Sequence, residues 1–180
     1  MARSLRILLI DDQSLIRRAM DEYLRHLGHT DVDHASGGTE AQALLNARHD
    51  VACPYDIVFT DRIMPDMDGM MLLRSCRADC RFDRTAFVIL SGESEVSCIL
   101  EALGCGATSY MIKPATAETF RRTIVAMTEW LDRIRKSPVA CRVPTASSAS
   151  PPSMSPPSAS PKFGTACQAP GSGVSRSAVQ

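Results

Sequence analysis

Twenty Lys and Arg against twenty Asp and Glu leave this 180-residue chain without formal net charge, but the charges are unevenly placed. Residues 1 to 136 hold seventeen of the cations and all twenty acids; the part able to fold is therefore mildly acidic, which excludes a nucleic-acid platform built on a basic face. Residues 137 to 180 hold eight of the eleven prolines, no Asp or Glu, and only Arg142, Lys162 and Arg176 as charges, so the expectation is one domain over 1 to 136 followed by a disordered Pro/Ser/Ala-rich tail with no output domain.

The first element is the run from Leu5 to Ile10, apolar apart from Arg6, which stops at Asp11-Asp12. It is too short for the core of a secretion signal or for a membrane span, and it reads as a buried strand. With no export signal and no membrane segment the expected compartment is the cytoplasm, where the seven cysteines stay reduced. Cys76-x3-Cys80 and Cys98-x6-Cys105 lack a short Cys-x2-Cys knuckle and a matching His cluster, so a zinc site is not expected.

Ser14 is expected to cap a helix carrying Leu15, Ala19, Tyr23 and Leu27, which Gly28 ends. A weak strand over Val32 to Ala35 follows, then Ser36 before Gly37-Gly38 and a second helix through Ala41, Leu44 and Leu45. The run Ile57 to Thr60, after Asp56, is the third strand and stops at Asp61. Pro65 and Gly69 force a loop before a helix near Met70 to Cys80. Phe87-Val88-Ile89-Leu90 ends at Ser91-Gly92, and a helix over Glu93 to Cys105 is closed by Gly104-x-Gly106. Tyr110-Met111-Ile112 ends at Lys113-Pro114, and Thr116 caps a last helix with Phe120, Ile124, Met127, Leu131 and Ile134 on one face. Five strand-helix alternations imply an α/β fold: a parallel sheet covered by helices on both faces.

In such folds the chemistry sits at the carboxyl edge of the sheet. Three carboxylates, a hydroxyl and an ammonium arrive there at four strand ends: Asp11, Asp12, Asp61, Ser91 and Lys113. That set suits a divalent cation and a phosphoryl group. Taken singly, each acid reads equally well as a helix cap or loop residue, and Lys-Pro as a strand exit. Asp66-x-Asp68-Gly69 imitates the middle of a calcium loop, but the register would put Met64 at the first ligand and Ser75 at the last, so that pattern fails at both anchors.

Taken together, Asp11-Asp12, Asp61 with the stretch Arg62 to Gly69, Ser91-Gly92, and Gly106 through Lys113-Pro114 resemble the receiver domain of two-component response regulators, in order and with the family's spacing over residues 5 to about 134. The resemblance implies a flavodoxin-like, doubly wound five-stranded parallel sheet in the order 2-1-3-4-5 with five helices. It also implies a phosphorelay switch: a histidine kinase or phosphotransfer protein donates a phosphoryl group to Asp61. Mg²⁺ (or Mn²⁺) would be held by Asp12, Asp61 and the backbone carbonyl of Ile63, with Asp11 holding metal-bound water. Lys113 and Ser91 would contact the phosphoryl oxygens, with Gly92 leaving room beside them, and the Lys113-Pro114 bond would be cis. Ser91 and Tyr110 would form the switch, read by a downstream protein on the fourth helix, fifth strand and fifth helix, roughly residues 93 to 134; the alternative for Tyr110 is a ring simply packed on the sheet edge.

The chain departs from the family pattern at two places. Arg62 replaces an aliphatic or aromatic residue after the acceptor and is expected to rim the pocket, and Ala115 replaces the common Phe after Lys113-Pro114. Ile63 offers no hydrogen bond to a hydrolytic water whereas Glu93 has the reach for one, and slow phosphoryl loss is expected. Two other functions stand beside the switch. A Mg²⁺-dependent aspartyl-phosphate phosphohydrolase would want a second acid two residues after the nucleophile, where this chain has Ile63; an unphosphorylated receiver-like interaction module would not need the complete acid, hydroxyl and lysine set.

Overall fold

Apolar runs with no polar alternation need cover on both faces, and here they become the middle of a parallel sheet. The computed structural model describes residues 4–136, and the segment expected to be a tail, 137–180, lies outside the described residues. Strands β1 (Arg6–Ile10), β2 (Asp31–Ala35), β3 (Ile57–Asp61), β4 (Ala86–Ser91) and β5 (Ser109–Ile112) form one sheet in the order β2-β1-β3-β4-β5, every pair parallel. Between and after them run α1 (Ser14–His26), α2 (Gly38–Asp50), α3 (Gly69–Arg77), α4 (Val96–Gly104) and α5 (Ala117–Lys136).

Strand alternation divides the core in two. Ile7, Leu9, Phe59, Val88 and Leu90 face α1 and α5, meeting Met20, Leu24, Phe120, Ile124, Met127 and Leu131. Leu8, Ile10, Val58, Phe87 and Ile89 face the opposite layer, meeting Leu45 of α2, Leu72, Leu73 and Cys76 of α3 and Ala102 of α4. Phe59 and Phe120 stack with ring centroids 4.7 Å apart; removing each ring from water contributes on the order of 2–3 kcal/mol. Helix α4 is the thinly anchored one. Ala102 is its one buried residue, while Val96, Leu100 and Leu103 are exposed.

Helix ends depart from the sequence expectation where caps come from elsewhere. Ser14 is the first residue of α1, not its cap; Gln13 takes the cap position and makes no side-chain cap bond. Ser36 lies outside α2, where its amide and hydroxyl donate to Glu40 at 2.8 and 2.7 Å. Helix α3 starts at Gly69, capped by Asp68 accepting from the Met71 amide at 2.6 Å, and ends at Arg77 before a 3-10 turn at Cys80–Phe82. Helix α4 starts at Val96 and leaves Glu93 in the preceding loop. The glycine stops hold. Gly28 and Gly106 both have positive φ, and the amides around each, Gly28 to Arg25 and His29 to Leu24, Gly106 to Leu103 and Ala107 to Ala102, close the helices in paired reverse bonds. Thr116 caps α5 through the Thr119 amide at 3.1 Å.

Ion pairs close the edge of the sheet opposite the acids. Asp56 accepts from the Arg6 amide at 2.9 Å and pairs with the Arg135 guanidinium of α5 at 2.8 Å. Cys53, Cys76, Cys80, Cys98 and Cys105 are free thiols. Among the described residues no helix is long and apolar enough to cross a membrane.

Candidate functional site

Sheet register delivers the strand-end residues to one place. Ile10 pairs with Thr60, Asp61 with Leu90 and Ser91 with Ile112, so Asp11, Asp61, Ser91 and Lys113 occupy neighbouring rungs at the carboxyl edge. The Lys113 amide donates to the Ser91 carbonyl at 2.7 Å, which pins the exit of β5 to β4, and the Lys113-Pro114 peptide bond is cis.

Asp11 is fully buried and held at both oxygens: one accepts from the Gln13 amide at 2.8 Å, the other from Lys113 Nζ at 2.7 Å. Lys113 Nζ also lies 3.0 Å from Asp61 Oδ2. Asp12 is exposed beside them, and oxygens of Asp11, Asp12 and Asp61 all lie within 4.8 Å of one another. A cluster made of carboxylate oxygens suits a hard divalent cation such as Mg²⁺ and offers nothing to a soft one.

Burial pushes the Asp61 carboxyl above its ordinary value; Lys113 pulls it back, Asp11 adds to the rise, and the net direction is upward. Burial alone would lower Lys113, but its contacts with Asp11 and Asp61 outweigh that and raise it, so it stays a cation. The site thus sets one ammonium between two carboxylates, with an exposed third acid at its mouth.

Ser91 is buried and its Oγ accepts from the Glu93 amide at 3.1 Å. Tyr110 is half-buried, and its hydroxyl donates to the Glu93 carbonyl at 3.0 Å. The structure therefore brings Asp11, Asp12, Asp61 and Lys113 into one contact set, with Ser91 next to it and Tyr110 joined to Ser91 through Glu93. Ile63 is exposed just past the end of β3, and a β-carbon added at Gly92 would meet nothing within 4 Å.

Arg62 and Glu93, the subjects of two further expectations, pair with each other. Arg62, expected to rim the pocket, directs its guanidinium to Glu93 and lies 3.1 Å from Glu101 of α4. Glu93, expected to reach a hydrolytic water, has its carboxylate engaged by Arg62 instead. The acids of the β3-α3 loop also find their roles. Asp66 accepts from the Gly38 and Thr39 amides at 3.3 and 3.1 Å, capping α2 from a distance; hydrogen bonds from the Met67 amide and then from Thr39 hold its carboxyl well below the ordinary value. Sequence reasoning missed Arg17, whose guanidinium donates to the Asp11 carbonyl and braces the first acidic turn. A cation about two helical turns past Asp11 was the available signal.

The family description "response regulator receiver domain" matches residues 7–125. Chemotaxis protein CheY of Pseudomonas aeruginosa is 35% identical over 120 residues, 67% of this chain and 93% of that protein. Chemotaxis protein CheY1 of Helicobacter pylori is 32% identical over 120 residues, 67% of this chain and 94% of that protein. Among solved structures, chemotaxis response regulator CheY4 of Vibrio cholerae superposes with a TM-score of 0.61 at 26% identity, covering 69% of this chain and 99% of the other. A response regulator receiver domain protein from Clostridium thermocellum gives 0.61 at 29% identity, over 73% and 97%. The sheet order, the acidic edge with its lysine and these likenesses agree: the chain belongs to the response regulator receiver family, the signalling switches of two-component systems.

Proposed function

We propose that Asp61 accepts a phosphoryl group from a histidine kinase or phosphotransfer protein and that the domain relays this through α4, β5 and α5 to a downstream protein in the cytoplasm. The observation that carries the reading is Lys113 Nζ set 2.7 Å from Asp11 and 3.0 Å from Asp61, beside a third carboxylate. Nothing in a purely structural strand end needs two buried acids around one ammonium.

In the transfer, an Asp61 carboxylate oxygen forms the new O–P bond as the N–P bond of a phosphohistidine breaks, and the departing imidazole takes up a proton. Asp12, Asp61 and the Ile63 carbonyl would hold Mg²⁺ or Mn²⁺, with Asp11 holding metal-bound water. Bound there, the ion offsets the charge of the carboxylates and of the incoming group. Lys113 binds one phosphoryl oxygen as a compact cation, and the Ser91 hydroxyl donates to another. Ser91 then leaves the Glu93 amide, and Tyr110 is drawn in after it; the exposed Val96, Leu100, Leu103 and Ile112 make the face next to that movement apolar, as a protein-binding surface should be.

The test is to treat the protein and its Asp61→Asn variant with acetyl phosphate and Mg²⁺ and follow intact mass. One phosphoryl group added to the parent and absent from the variant is expected. Continuous release of phosphate would instead indicate an aspartyl-phosphate phosphohydrolase, and no addition would indicate an interaction module that is never phosphorylated.

A further inference from the structure

Glu93 is the joint of the loop between β4 and α4. Its amide holds Ser91 Oγ at 3.1 Å, its carbonyl holds the Tyr110 hydroxyl at 3.0 Å, and its carboxylate holds the Arg62 guanidinium. Arg62 in turn lies 3.1 Å from Glu101 of α4, whose other oxygen pairs with Arg74 of α3 at 2.8 Å. The arginine's own backbone cannot follow the loop: its amide donates to Leu90 at 2.8 Å and its carbonyl accepts from Gly69 at 2.9 Å. The less firmly anchored side of this arrangement is α4, which buries one residue, so polar links form a large share of its attachment.

We propose that Arg62 is a positioning residue: it latches the β4-α4 loop and α4 to the end of β3 through Glu93 and Glu101, and so sets how readily Ser91 turns from the Glu93 amide to a phosphoryl group on Asp61. The inference rests on the reading of Asp61 as the acceptor. A phosphoryl group on the residue preceding Arg62 adds about two negative charges that compete with Glu93 for the guanidinium. Ser91 and Tyr110 give up Glu93 in the same movement, so all three of its bonds are spent or weakened together. The latched loop then represents the resting population, and any ligand must outbid the latch to shift it.

The test titrates beryllofluoride with Mg²⁺ into the full chain and reads the amide resonances of residues 91 to 104. Four variants are compared: Arg62→Met, Glu93→Gln, the two combined, and Arg62→Lys. From the strength of partly exposed ion pairs, Arg62→Met should bind the mimic about two- to five-fold more tightly than the parent. The combined variant should bind no more tightly than Arg62→Met, and Arg62→Lys should fall between parent and Met variant. The difference between parent and Met variant should shrink as salt rises. Equal or weaker binding by Arg62→Met, or additive effects of the two substitutions, overturns the latch. If the parent itself fails to bind beryllofluoride, the acceptor reading falls and the latch with it; if only the variants behave like the parent, the acceptor reading stands alone.

Discussion

Gly69 approaches the Asp61 carbonyl so closely that a β-carbon at Gly69 would sit 2.2 Å from that oxygen. The first turn of α3 and the end of β3 share this contact, and the obstacle is backbone, which cannot swing aside. Gly69→Ala must therefore move either the helix or Asp61. A loss of about 1–3 kcal/mol in urea unfolding is expected, together with slower phosphorylation by acetyl phosphate. Unchanged stability and rate would mean that the turn has room to give.

Arg77 joins the other edge of the sheet. Its guanidinium donates to the carbonyls of Gly106 and Phe82 at 2.8 Å and of Thr85 at 3.0 Å, and it lies 4.8 Å from the Phe87 ring centre. Burial pushes its pKa down, which marks how far the charge has been withdrawn from water. Lysine has one nitrogen in place of the fork and no plane to stack. Arg77→Lys should cost about 2–3 kcal/mol, since it strands buried carbonyls, with little change in phosphorylation rate. Chemical denaturation and acetyl phosphate kinetics on the same sample check both halves.

The strands and the acidic edge were legible because both depend on local chemistry. Ile7 to Ile10 and Phe87 to Leu90 are apolar without alternation, which a parallel sheet alone accommodates well, and each ends on a polar residue that the fold must then put at one edge. Caps were less legible. Asp66 stabilises α2, 28 residues before it in the chain, and Arg62 reaches Glu101 a further 39 residues on. Such partners meet only after the layers pack, so Glu93 looked like a free carboxylate. Asp33 escaped attention for the same reason, although it anchors the edge strand.

That anchor predicts a stability profile in acid. Asp33 accepts from the Tyr55 hydroxyl at 2.6 Å and from Arg48 at 2.6 Å. Burial alone would raise its carboxyl, but Tyr55 and then Arg48 outweigh this and hold it below 3.8. A depressed acid stabilises the fold above its unfolded value and loses that contribution as pH falls through the folded value. The advantage of the parent over Asp33→Asn should thus be level at neutral pH and shrink as pH falls below the ordinary value of 3.8. Tyr55→Phe should cost about 1 kcal/mol at pH 7 and flatten the acid limb. Urea midpoints across pH 2 to 7 provide the check, and an advantage that does not shrink in acid would refute the assignment.

Asp61 has the opposite sign. Burial raises its carboxyl, Lys113 only partly offsets that, and the folded state prefers the proton. The stability tied to that preference is complete below the ordinary value of 3.8 and is lost as pH rises through the folded value. At pH 7 the ionised group therefore costs stability, as a residue selected for reactivity often does. Asp61→Asn should be more stable than the parent at pH 7, and the gap should close as pH falls toward the ordinary carboxylate value. Adding Mg²⁺ at pH 7 should stabilise the parent more than the variant, because an ion bound only to the native cluster shifts the folding equilibrium. Thermal unfolding of both proteins at pH 3 and 7, with and without Mg²⁺, decides the matter: a variant less stable than the parent at pH 7 without the ion would show that Lys113 outweighs burial at this site.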